Sequence, residues 1–178
     1  ALCDDTGTPH PFLEIGDDAV LPAGFLSAME EGIRKGLNDL PARPMGVRGN
    51  ELERISQCQG LYDEPGMLKP APTQIRRIAG SKIRLTILML GGGPEIRSKT
   101  QALFHMHSLD HVVEEMIEWA IPQVEALGCQ PCTLSFGLGR TAFEASSLSL
   151  EAMKEGCYDV QSELEKRITD AVNSRGIG

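Results

Sequence analysis

The run KIRLTILML at residues 82–90 ends on three consecutive glycines, Gly91, Gly92 and Gly93. A largely aliphatic stretch stopped by residues without Cβ predicts a strand that delivers the chain into a turn where backbone approaches something closely. Around that strand the periodicity is mainly helical. Residues 22–38 predict a helix with Pro22 in its first turn and Phe25, Met29, Ile33 and Leu37 on one face. Ser108 is the expected N-cap of a long helix reaching Leu127, with Val112, Met116, Trp119 and Val124 on its buried side and a kink at Pro122. Residues 141–155 and 160–174 predict two more helices, 11–16 and 133–138 two more strands, and 52–58 a single helical turn. Pro and Gly punctuate residues 41–72, an irregular excursion of a length that more often serves function than connection. The expected fold is α/β, helix-rich α+β: a mixed sheet of few strands packed with several helices, as one domain over residues 1–178.

Charge narrows the function. The net charge of -8 argues against a nucleic-acid backbone as partner, which needs clustered Lys and Arg. It leaves room for a small anionic substrate, because a few local arginines outweigh a global charge. The short basic run Arg76, Arg77, Lys82 and Arg84 reads as a solvated flank. No apolar run approaches the roughly 20 residues that span a bilayer, and no basic-then-apolar leader precedes the first motif. Five cysteines, an odd number at irregular intervals, do not read as a disulfide framework; in a reducing cytosol they are free to be buried thiols, nucleophiles or metal ligands.

Three stretches carry the chemistry. Cys3-Asp4-Asp5-Thr6-Gly7-Thr8 packs a thiol, two carboxylates and two hydroxyls into one turn, either a dense set of ligating and proton-transferring groups or a solvated Asx-turn. Cys129-Gln130-Pro131-Cys132 stands between a helix and an expected strand, the reverse of a thioredoxin-type arrangement, and lacks the second pair a zinc site needs. One cluster ligand with a coincidental neighbour is the remaining reading, and the pattern alone does not choose. Residues 93–100 fall one short of a Walker A motif, but Pro94 removes an N–H donor and Glu95 adds negative charge where phosphate should lie. His105, His107 and His111 could form a metal trio, although surface or packing histidines are the commoner outcome.

Taken together and in order, these stretches resemble the alpha subunit or domain of class I fumarases and L-tartrate dehydratases. Cys3 and residues 5–8 match that family's Cys-Gln-Asp-Thr-Gly-Thr, and Pro41-Ala42-Arg43-Pro44 its Leu-Arg-Pro segment. Residues 90–95 match its Lys-Gly-Gly-Gly-Ser-Glu, Cys129-Gln130-Pro131 its Cys-Pro-Pro, and residues 137–140 the end of the strand that follows. Asp4, Leu90 and Pro94 stand where the family has Gln, Lys and Ser. The family also extends beyond both ends of this chain, so the sequence reads as a core piece of a longer subunit or as a divergent relative.

The resemblance implies a hydro-lyase subunit that adds water to, or removes it from, a small dicarboxylic acid, with a [4Fe-4S] cluster as Lewis acid. Cys3 and Cys129 would be ligands, with Cys58 a stand-in for the third. Arg43 would clamp a substrate carboxylate, because a guanidinium pairs with a carboxylate bidentately. Asp5 and Asp4 would orient or polarise the hydroxyl, with Thr6 and the backbone of Gly91, Gly92 and Gly93 completing the substrate site. The proton-abstracting base would come from a beta-type subunit, so the expected protein is a cytoplasmic hetero- or homo-oligomer that binds neither nucleic acid nor membrane. Two alternatives remain open: a structural or assembly subunit that kept the fold and lost the cluster, and a nucleotide-binding protein using residues 93–100.

Overall fold

In the computed structural model, which describes residues 7–41, 43–95 and 97–176, the apolar stretch after the first motif becomes the central strand of a mixed three-stranded sheet. β1 (Thr8–Gly16) lies between β2 (Gln74–Ile78), which runs parallel to it, and β3 (Ile83–Leu90), which runs antiparallel. The fold is α/β, as expected. β1 begins at Thr8, three residues before the predicted start, and runs through Pro9 and Pro11. Both prolines precede Phe12, where pairing with β2 begins, and the Pro9 carbonyl accepts from Ala71 N on that side. The missing N–H groups therefore fall where no strand asks for them.

β2 was not expected as a strand. Its Arg76 and Arg77 pair in register with Glu14 and Ile15, so the first half of the basic run is the charged edge of a sheet, while Arg84 belongs to β3 at the other edge. Beside the sheet, α1 (Phe25–Asp39) buries Met29 and Leu37, and Asn38 Oδ1 accepts a 2.7 Å bond from Gly66 N in the 3-10 turn Pro65–Met67. α2 (Glu51–Ser56) is closed by a capping box: Asn50 accepts from Leu52 N and Glu53 N, and Glu53 accepts from Asn50 N. The triple glycine is not an open loop, since Gly92–Glu95 forms one helical turn, α3, with Glu95 N bonded to Gly91 O at 3.0 Å.

The chain divides into two compact units, residues 1–96 and 97–178. In the second, α4 (Leu109–Glu125) starts at Ser108, whose side chain accepts from His111 N as its sequence predicts, and contains Pro122. α5 (Ala142–Glu155) and α6 (Glu163–Asn173) begin at the caps Thr141 and Ser162. Ala120, Val124 and Val172 form a buried cluster between α4 and α6, with Trp119 and Phe136 edge to face at 5.8 Å beside it.

The strand expected at 133–138 is absent; the segment has no ladder partner. Its alternation does mark a buried face, since Leu134 and Phe136 pack on that helical cluster. The segment runs along a helix instead of a strand. Ser135 Oγ donates to Ser149 O at 2.6 Å, and a Cβ on Gly137 would lie 2.0 Å from Ala145 O. Glycine there lets the backbone lie directly on α5.

Candidate functional site

The ladder between β1 and β3 brings two of the sequence motifs to one corner. Thr8, the last residue of the first motif, is paired with Leu90, the first residue of the glycine motif. One step earlier, Gly7 has φ +83 and sits so close to the other strand that a Cβ would lie 2.4 Å from Leu90 O and 3.0 Å from Gly91 N. Only glycine combines that backbone conformation with that approach. The described end of the first motif, Gly7 and Thr8, therefore lies at the base of the Gly91, Gly92, Gly93 turn. Cys3, Asp4, Asp5 and Thr6 themselves lie outside the described residues.

A second contact ties this corner. His10, next but one to Thr8 along β1, is 6% exposed, and Glu95 Oε2 at the end of α3 stands 3.5 Å from its Nε2. The imidazole Nε2 is buried with no hydrogen-bond partner. Four residues further along β1, Glu14 is buried and paired with Arg84 Nη1 at 2.9 Å. Sequence reasoning singled out Glu95 as a motif residue and missed His10. The available signal was a titratable side chain in the middle of a proline-rich apolar strand.

The other expected site residues are placed more loosely. Arg43 is exposed in the stretch after α1, and Cys58 is exposed just beyond α2, its Sγ 3.8 Å from Glu53 O. Cys129 and Cys132 are exposed after α4. Among the described residues no three His, Cys, Asp or Glu side chains converge as a metal site. His105 and His107 meet edge to face at 4.9 Å, with His107 N donating to His105 Nδ1 at 2.9 Å, while His111 lies in the first turn of α4. The nucleotide reading fails on local structure. A phosphate cradle needs a helix opening at its Lys-Ser/Thr end, whereas residues 98–105 carry no helix, the next one starts at Leu109, and Thr100 Oγ1 is engaged by Ser146 Oγ at 2.7 Å.

A family model described as fumarate hydratase (Fumerase) matches residues 1–178. The chain belongs to this fumarate hydratase family. A relative from Methanocaldococcus jannaschii, named "Putative L(+)-tartrate dehydratase subunit alpha", is 27% identical over 184 residues. That match covers 99% of this chain and 62% of the relative, so the chain spans less than two thirds of the length of the curated protein it resembles. No helix among the described residues is long and apolar enough to cross a membrane.

Proposed function

We propose that this fumarate hydratase family chain is the alpha-type part of a hydro-lyase acting on a small dicarboxylic acid of the fumarate/malate or tartrate type, and that it works with a beta-type partner. The observation that carries the reading is the family match across the whole chain. The name of the relative, an alpha subunit, supports the partner. The meeting of the first motif with the glycine turn supports the location of the substrate site, because both stretches are drawn to one end of the β1–β3 ladder.

In this reading Arg43 clamps a carboxylate and offsets the charge that builds as a proton leaves the adjacent carbon. Asp5 and Asp4 orient the hydroxyl, Thr6 lines the site, and Gly91, Gly92 and Gly93 admit the substrate against bare backbone. The base belongs to the partner, so the chain alone is inactive. A [4Fe-4S] cluster would supply Lewis acidity toward the departing hydroxyl. By the family resemblance its ligands in this chain would be Cys3 and Cys129, with Cys58 the candidate third. Among the described residues no three such side chains come together as that site. The cysteines at 58, 129, 132 and 157 are all free thiols, which suits a cytosolic protein.

The test is anaerobic co-purification with the beta partner, followed by iron and sulfide analysis and hydration or dehydration assays on fumarate, malate and tartrate. Cys3→Ser and Cys129→Ser should each lose the iron, whereas Cys132→Ser and Cys157→Ser should keep it. An assembled wild-type protein without iron or turnover would leave the structural-subunit reading instead.

A further inference from the structure

Glu95 poses an electrostatic problem for the proposed site. A carboxylate one helical turn from three glycines that admit a dicarboxylate should repel the substrate. The structure holds a counterpart. His10 Nε2, enclosed by the protein and without a hydrogen-bond partner, is 3.5 Å from Glu95 Oε2. This is a few tenths of an ångström beyond the usual N–H···O range of about 2.7–3.2 Å. Leaving a buried nitrogen unsatisfied is costly, and a small shift of the partly exposed Glu95 carboxylate would satisfy it.

Other charges on this face of the sheet have different partners or positions. Phe12 and Glu14 share the face with His10, and the register brings Leu88, Thr86 and Arg84 from β3 and Gln74 and Arg76 from β2 to the same side. Arg84 is bonded to Glu14, and Arg76 stands opposite Glu14, four residues along β1 from His10.

We propose that His10 is a positioning residue. Its Nε2–H donates to the Glu95 carboxylate, turns that charge inward, and holds the turn from Gly91 to Glu95 against the strand that carries the first motif. Three ties then converge on one corner: Gly7 on the Leu90 carbonyl, Glu95 N on Gly91 O, and His10 on Glu95. The substrate-binding consequence rests on the dicarboxylate reading above; the hydrogen bond itself does not.

Both parts are testable separately. In the complete chain labelled at histidine nitrogen, His10 Nε2 should show a slowly exchanging attached proton, and Glu95→Gln should move its resonance. An unmoved resonance overturns the bond, whatever the protein's activity. In the assembled enzyme His10→Leu should raise KM for the dicarboxylate about tenfold, equivalent to ~1.4 kcal/mol, with kcat changed less than about twofold. His10→Leu with Glu95→Gln should restore KM, because the stranded charge is gone, and His10→Gln should stay near wild type. An unchanged KM in His10→Leu, or no recovery in the double variant, overturns the positioning role. Should His10→Leu not fold, a KM raised in His10→Gln as well would overturn it, and a near-normal KM with the moved Glu95→Gln resonance would uphold it. Failure of the wild-type assembly to turn over any dicarboxylate would remove the proposed function and leave the resonance test standing.

Discussion

At the scale of single residues, glycines in the same corner do opposite kinds of work, and substitution should separate them. Gly7 combines φ +83 with backbone contact at Leu90. Gly7→Ala should therefore destabilise the fold by about 1–2 kcal/mol or more, the cost of a left-handed alanine before any clash. Thermal unfolding of the chain alone reads this. Gly92 opens a helical turn, a conformation alanine adopts readily, so Gly92→Ala should melt nearly as wild type while the assembled protein binds dicarboxylate poorly. Full dicarboxylate affinity in that variant would mark the glycine turn as scaffold only. Arg43→Ala should lower kcat/KM of the assembled enzyme by an amount equivalent to roughly 2–4 kcal/mol, the usual loss when one member of a hydrogen-bonded charge pair is truncated. Its iron content should stay unchanged, and an unaltered kcat/KM would dismiss Arg43 as the clamp.

At the scale of elements, caps decide where helices begin, and one of them titrates. Ser162 N–H and then the Ser162 hydroxyl hold the Glu165 carboxyl below its ordinary value. A carboxyl whose folded pKa is depressed contributes stability above its unfolded pKa and loses it as pH falls through the lower folded value. Acidification below the ordinary carboxylate range should therefore fray the start of α6, seen as a Ser162 amide resonance that titrates with a midpoint below that of a free glutamate. The same caps explain what was legible in the sequence. Ser108 announces its helix and caps it, while the helices expected at 141–155 and 160–174 form with Thr141 and Ser162 as their caps. The strand at 82–90 was plain because six of its nine residues are large aliphatics and three glycines end it. β2 was hidden because an edge strand of five residues with two arginines looks like a solvated loop. The segment at 133–138 misled because alternation reports a buried face without naming the neighbour, here α5. At the site, the glycine motif and first motif were readable as residue types. Their meeting depended on an antiparallel register that no local pattern encodes, and His10 acquired significance only through it.

At the scale of the molecule, each unit has a small interior. Among the described residues, the buried hydrophobics of the first unit are Phe12, Leu13, Met29 and Leu37, and those of the second are Val112, Val113, Ala120, Val124, Ile168 and Val172. Each such side chain therefore matters within its own unit. Leu13→Ala should cost about 2–5 kcal/mol, read as a lowered urea midpoint, and an unchanged midpoint would show that Leu13 is not part of the first unit's core.

The order of the sheet has a practical side. β3 lies at one edge, and its apolar sequence IRLTILML is interrupted by a single charge, Arg84. The opposite edge is guarded by Arg76 and Arg77 on a much shorter strand. An unguarded edge with Ile83, Leu85 and Met89 still open to solvent is a template on which another copy of the same strand can add. Preparations of this chain should therefore be dilute, kept from long incubation when warm, and made together with the partner subunit, because clumping through β3 would remove protein from solution before its chemistry could be measured.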